Sequence, residues 1–249
     1  MKKYLIIDSR MRKQEQEFLK SLGYYLIYTN LSDNVYSEIS SHVDIFCCKI
    51  GDNLILEPNF FNTFINLAEY GDIKKRFNVI SGSSDITKNI TVYNACVLGD
   101  FLISSIKNTD KNILIEAQKL NLKIINVNQR YAKCSISVAN CNNIITLDNS
   151  IDKYNNENKI SNMHINMIYL PQHDFNIKLL NSFGKYSFMY GFLGGATCVI
   201  DNKYIIFGDI NNIKNQSRDK LINFVNKCGL ELIDFKGLDI IDYGGVIEI

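Results

Sequence analysis

Tryptophan is absent from this 249-residue chain, proline occurs only at Pro58 and Pro171, and neither sign of charge is in excess. With 27 basic against 26 acidic residues the formal net charge is +1. That balance offers no electrostatic footprint for nucleic acid or an anionic membrane, so partners of either kind are not expected. Apolar runs are short: none approaches the roughly 18 residues of a membrane span. The apolar stretch after Lys2 and Lys3 stops at Asp8, short of a signal-peptide core. Neither a Gly-x-x-x-x-Gly-Lys-Ser/Thr loop nor a Gly-x-Gly-x-x-Gly turn is found, and no cofactor is expected. The seven cysteines form no Cys-x-x-Cys pair. Their odd number, with Cys47 and Cys48 adjacent, argues against a disulfide framework or a zinc knuckle, and reduced thiols in a cytoplasmic protein are the expectation. His164 and His173 lack ligand spacing, so no metal site is expected either.

Four times an apolar run stops at a tight polar turn and resumes. Residues 46–50 and 54–56 flank Gly51-Asp52-Asn53, and 96–98 and 101–103 flank Gly99-Asp100. Residues 135–138 and 143–145 flank 139–142, and 197–200 and 204–207 lie about Asp201-Asn202-Lys203. Each is a β-hairpin signature. Counted from Asp52 through Asp100 and Asn142 to Asn202, the turns stand 48, 42 and 60 residues apart, which means one supersecondary unit used repeatedly. A helix and a returning strand complete the unit. After the second hairpin, residues 110–120 carry Ile113, Ala117 and Leu120 at helical spacing behind a Thr109/Asp110 cap, and 123–127 reads as a strand. The fourth copy has Leu221, Phe224, Val225 and Cys228 on one face, Gly229 as the stop, and a strand over 230–235. Copy one gives a helix over 59–69 and a strand over 78–80; copy three gives barely a turn at 150–154 and a strand over 165–170.

The ends supply a fifth unit: strand 3–7, helix 12–22 stopped by Gly23 and strand 24–28, joined to strands 238–241 and 246–249 about Asp242-Tyr243-Gly244-Gly245. Pairing the last strand with the first removes the free edge. The expected fold is α/β: a five-bladed, pseudo-symmetric β/α propeller forming one domain over 1–249, its fifth unit split between the termini. An open doubly wound sheet would show single strands alternating with helices, without hairpins. Segment 171–192, with Gln172-His173-Asp174 and the aromatics Phe183, Tyr186, Phe188, Tyr190 and Phe192, is an insertion. It reads as a rim loop over a cavity or as a surface loop with no role.

His42 and Asp44 open the first hairpin; on a strand their spacing puts both side chains on one face. They read as an acid/base pair or, equally, as a core histidine beside a turn aspartate. Cys134 opens the third hairpin at roughly the place that His42 holds in the first and Asn94 in the second, so rotational symmetry brings the three together. On a regular strand Lys133 and Ser135 would face away from it. Cys134 reads as a nucleophile or as a small buried hydrophobe; Cys198 is the next candidate, and the remaining cysteines read as core or turn residues. Asp242 could offer a second carboxylate, Asp209 a carboxylate at the rim, and Asn94 a polar contact. The pairs Gly194-Gly195 and Gly244-Gly245 suit close backbone approach near an axis.

This pattern resembles the pentein fold of guanidino-group modifying enzymes, and the resemblance covers nearly the whole chain. Residues 41–44 and 128–135, Gly191-Phe192-Leu193-Gly194-Gly195, Gly208-Asp209 and residues 241–247 are similar to an uncharacterised clostridial-type, DUF6873-like family of that fold. The resemblance implies an axial polar cavity for a small, cationic guanidino or amidino compound. It also implies proton transfer by His42, cation binding by Asp44 and Asp242, and attack by a cysteine. In penteins that cysteine follows a glycine run in the last unit, whereas here 246–249 holds none, leaving Cys134 as the substitute. The expected function is therefore a hydrolase or transferase working through Cys134, His42 and Asp44, with Asn94, Asp242 and Asp209 as binding residues. The alternative is a non-catalytic binding or interaction module on the same scaffold. Metal-assisted hydrolysis by His42, Asp44 and Asp209 is a weaker third reading.

Overall fold

A computed structural model describes residues 2–158, 164–180 and 189–249. The chain begins with β1 (Lys3–Ile7), α1 (Lys13–Ser21) and β2 (Tyr24–Tyr28), followed by α2 (Val43–Phe46), β3 (Cys47–Ile50) and β4 (Asn53–Leu56). Next come α3 (Pro58–Phe64), α4 (Tyr70–Ile73), β5 (Asn78–Ser81), β6 (Cys96–Leu98), β7 (Phe101–Ser104), α5 (Lys111–Lys119) and β8 (Lys123–Asn126). The third copy holds α6 (Ala132–Ser135), β9 (Ile136–Asn140), β10 (Asn143–Thr146), α7 (Asn149–Asn158) and β11 (Asn166–Tyr169). The remainder is β12 (Ile177–Lys178), β13 (Thr197–Ile200), β14 (Lys203–Ile206), α8 (Asn215–Lys227), β15 (Glu231–Ile233), β16 (Ile240–Ile241) and β17 (Ile247–Glu248).

These strands make five three-stranded sheets and one two-stranded sheet, none of them closed on itself among the described residues. The sheets β3-β4-β5, β6-β7-β8, β9-β10-β11 and β13-β14-β15 share one plan. An antiparallel hairpin is followed by a helix, and a third strand returns parallel to the hairpin's second strand. Tight turns are allowed where Gly51, Gly99 and Asp201 take φ of 56°, 52° and 52°, the left-handed geometry that matches the twist of a hairpin. Helix α5 starts where Asp110 Oδ1 accepts from Asn112 N at 2.8 Å, while its other oxygen accepts from Ser83 N and Oγ.

The fifth sheet joins the two ends of the chain. Strand β17 runs antiparallel to β1, with Leu5 opposite Glu248 and Ile6 opposite Ile247, and β1 runs parallel to β2. Tyr4 and Ile249 exchange two backbone hydrogen bonds of 2.9 Å. Helix α1 carries the same junction. The Tyr243 hydroxyl donates to Glu15 Oε2 at 2.8 Å and accepts from Arg12 N at 3.3 Å, and the Arg12 guanidinium pairs with Glu15. Leu5, Ile6 and Ile7 are fully buried, each contributing about 1.5–3 kcal/mol from burial.

Several boundaries differ from the sequence expectation. The segments before the first and third hairpins are single helical turns, α2 and α6, rather than strand beginnings. Their amides are used inside the turn: Ile45 N donates to His42 O and Ser135 N to Tyr131 O, so β3 and β9 start later. The expected helix over 59–69 is divided into α3 and α4. Helix α7 is longer than one turn because Asp148 Oδ1 accepts from Ser150 N and Ile151 N and starts it firmly. Strand β16 pairs in parallel with β12 from the insertion, tying that segment to the C-terminal bend. Of the insertion's aromatics, Phe183, Tyr186 and Phe188 lie outside the described residues. No helix among the described residues is long and apolar enough to cross a membrane.

Candidate functional site

The ends of four repeat units meet at one buried polar cluster. His42 is the residue immediately before α2 and Asp44 lies within that turn; Asn94 precedes β6, Cys134 lies in α6, and Asp242 follows β16. Asn94 locks the first three units together. Its Nδ2 donates to Asp44 Oδ2 at 2.6 Å, while its Oδ1 accepts from Lys133 N at 2.8 Å and Cys134 N at 3.2 Å. The Cys134 thiol donates to the same Asp44 oxygen. Asp44 Oδ1 has no partner.

Asp242 faces His42, with 3.8 Å between Oδ1 and Nδ1, and leaves His42 Nε2 without a partner. The Asp242 carboxylate is fixed by Phe192 N and Gly244 N, each donating at 2.8 Å. Close approach here depends on glycine. A Cβ on Gly195 would overlap Asp242 Oδ1, and one on Gly244, at φ 70°, would lie 2.6 Å from Asp44 Oδ1 and 2.7 Å from His42 Cβ. A Cβ on Gly194 would collide with the carbonyl oxygens of Lys133, Cys134 and Ile136. The glycine pairs therefore act as spacers at the site.

Burial dominates the electrostatics. It pushes the Asp44 carboxyl up from 3.8 to about 6, opposed by the bonds from Cys134 and Asn94 and by the Lys133 charge. It raises Asp242, opposed mainly by His42. It lowers His42, opposed mainly by Asp242, so the imidazole is neutral near pH 7. Desolvation and then the charges of Asp242 and Asp44 push the Cys134 thiol well above its usual range. Cys134 is therefore a thiol near neutral pH.

Two cavities abut this cluster. One, of about 400 Å³, is lined by His42, Asp44, Cys134 and Asp242 together with aromatic and aliphatic walls, including the stacked rings of Tyr131 and Phe192 at 5.8 Å. Gln172, Leu179 and residues 189–192 of the insertion also line it, so its described parts form part of the cavity wall. The other cavity, of about 550 Å³, shares Asp44 and takes in Lys133, Cys47, Cys48, Cys96 and Cys198. Lys133 therefore does not point idly outward: its Nζ lies 3.5 Å from Gly194 O beneath the cluster.

The expected residues divide clearly. His42, Asp44, Cys134 and Asp242 are brought to one cavity. Asn94 is fully engaged in bracing the cluster and does not line that cavity among the described residues. Asp209 is not brought to it: its carboxylate accepts from Asn211 N and Gly237 N at 2.8 and 2.7 Å, capping the turn Ile210–Asn212. Cys198 lies on β13 against the other cavity, with burial raising its thiol. Although no metal site is expected from the sequence, the structure brings together one group that could hold an ion. Ligand atoms of His42, Cys134 and Asp242 lie within 4.8 Å of one another, the one such group among the described residues, and this N/S/O donor set suits a zinc-like ion. Sequence reasoning missed Glu38, Tyr36 and Tyr131 on the cavity wall; Glu38 stands four residues before His42, but nothing in its neighbourhood distinguishes it from a surface acid.

Residues 6–247 match a family of unknown function, DUF6873. The chain belongs to that family. No curated protein matches it. Among solved structures it is similar to dimethylarginine dimethylaminohydrolase from Pseudomonas aeruginosa complexed with citrulline, at a TM-score of 0.57 and 10% identity with 100% of both chains covered. It is also similar to an amidinotransferase of saxitoxin biosynthesis from Microseira wollei, at 0.53 and 8%, over 94% of this chain and 77% of that one. A third is the agmatine deiminase of C. jejuni, at 0.50 and 11%, over 95% and 87%. At these identities the likeness establishes the fold, and this DUF6873 chain has the pentein fold.

Proposed function

We propose that the chain forms one domain, a five-bladed β/α propeller with its fifth unit split between the termini, and that its axial cavity hydrolyses a small guanidinium or amidinium compound. One observation carries the reading: Asp44 and His42, whose Oδ1 and Nε2 are buried without partners, line the same cavity as Cys134. A planar cation would give Asp44 Oδ1 the donor it lacks. Its charge would also bring the thiol's pKa down, so that ionisation waits for the ligand. The known activities of the structural relatives support the same chemistry.

In the proposed reaction the Cys134 proton moves to His42 Nε2 as sulfur bonds to the guanidinium carbon. The carbon–nitrogen bond then breaks, and His42 returns the proton to the departing nitrogen. As water adds to the resulting thiouronium, or to the thioimidate formed from an amidine, His42 takes one of its protons. The carbon–sulfur bond then breaks, His42 returns that proton to sulfur to restore the thiol, and the water's second proton ends on the released ammonia. The products are a urea and ammonium, or an amide and ammonium from an amidine. Asp242 holds the imidazole and Asn94 holds Asp44. All seven cysteines are unpaired, which supports a cytoplasmic setting.

The test is ammonium release from alkylguanidines and alkylamidines by wild type and Cys134→Ser. Turnover should vanish in the variant while its thermal unfolding is unchanged; undiminished turnover contradicts the assignment. The raised thiol favours a second reading, a binding module without chemistry. That reading predicts saturable binding of the same compounds with no ammonium released.

A further inference from the structure

A second buried carboxylate faces the cavity. Glu38, on the turn Ser37–Ile39, is 2% exposed and lines the cavity with Asp44. Its Oε2 accepts from Ser37 Oγ at 3.0 Å, and its Oε1 has no partner. A carboxylate oxygen held out of water without a donor is costly and marks a place where a ligand donor belongs. The position is built rather than incidental. Arg10 donates to Ser37 O at 2.5 Å and to Glu38 O at 3.4 Å, while its charge is taken by both oxygens of Asp8. The turn is thus pinned by an arginine whose charge is already matched.

Among the described lining residues the acids outnumber every other charged group, with no lysine or arginine present. Glu38, Asp44, Asp148 and Asp242 line the cavity, and apolar side chains such as Ile39, Ile45 and Leu179 form its walls. A ligand carboxylate would meet like charge there. We propose that Glu38 is a specificity-determining residue that receives a second protonated amine. On this proposal, which rests on the guanidinium reading of Asp44, the substrate class is an alkylguanidinium or alkylamidinium with an amine at its other end, an apolar spacer and no carboxylate.

Calorimetric titration of the full chain tests this with three probe series: ω-aminoalkylguanidines, plain alkylguanidines and ω-guanidinoalkanoates, with spacers of about three to six carbons. At the best spacer length the amine should bind about tenfold tighter than the plain alkyl compound, and the carboxylate weakest of the three. Glu38→Gln should bring the amine-to-alkyl ratio to near one. If amine-bearing compounds gain nothing at any length, or carboxylates bind as tightly, the proposal is overturned by wild type alone, whatever the variant's stability. Retention of the amine preference in Glu38→Gln also overturns it. Plain alkylguanidines separate the two levels: if they bind without end-group preference only this inference falls, and if no guanidine binds the reading of Asp44 falls with it.

Discussion

Replacing Asp44 by Asn changes one buried charge and little volume, and the effect should depend on pH in a way the site geometry fixes. Burial raises this carboxyl from 3.8 to about 6 in the folded chain. Folded protein therefore holds the proton that unfolded protein releases between those values, so stability falls as pH rises through the window. A shift of about two units corresponds to about 3 kcal/mol, lost fully above pH 6. The amide of Asn cannot ionise, yet its oxygen can still accept from Asn94 and from the Cys134 thiol. Its new NH₂ takes the place of Oδ1, which has no partner to lose. His42 and Asp242 are present in both proteins, and because the Asp44 charge also raises Asp242 and Cys134, the difference between the two stability curves reports Asp44 together with its effect on those neighbours. Urea unfolding at intervals from about pH 4 to 8 should show Asp44→Asn gaining up to about 3 kcal/mol on wild type across that range. The same variant should lose guanidinium binding. A difference that stays flat with pH would refute the reasoning, because a constant offset reports packing rather than a buried charge.

Other substitutions probe the surrounding structure. Gly195→Ala places a Cβ on the Asp242 carboxylate and should cost about 1–3 kcal/mol or more by urea unfolding; wild-type stability in this variant would contradict the spacer role. Tyr243→Phe removes the hydroxyl shared by Glu15 and Arg12, and a loss of about 1–3 kcal/mol is expected from the same assay. Peptide mapping after brief iodoacetamide treatment near neutral pH should find exposed Cys141 modified well before buried Cys134. Equal rates would mean that the thiol is neither buried nor suppressed.

The hairpins are legible in the sequence because each is an apolar run broken by Gly, Asn or Asp at a turn, and the split unit is legible because 3–28 supplies strand, helix and returning strand without a hairpin while 246–249 supplies a strand with no helix after it. The turns α2 and α6 are not. Val43-Asp44-Ile45-Phe46 has the composition of a strand, and four residues are too few to show a helical period. Both turns make tertiary bonds: in α2 Val43 N donates to Tyr243 O near the opposite end of the chain, and in α6 Lys133 N and Cys134 N donate to Asn94 Oδ1. The two-residue strands β12 and β16 likewise have no periodicity to read. At the site, position within a repeat was enough to single out His42, Asp44, Cys134 and Asp242. It did not separate a residue that faces the cavity from one that braces it, as with Asn94, nor a rim acid from a cap, as with Asp209. Glu38 had no signal because its distinction is an unpaired oxygen, which only the folded chain reveals.

The central claim is that a cation bound at Asp44 switches on the thiol beside it. Intact-protein and peptide mass spectrometry with 2-chloroacetamidine and its neutral counterpart 2-chloroacetamide tests this most directly. The amidinium reagent should alkylate Cys134 selectively and should fail to do so in Asp44→Asn, while the neutral reagent leaves Cys134 untouched. Equal labelling of Cys134 by both reagents, or no labelling by either, would contradict it.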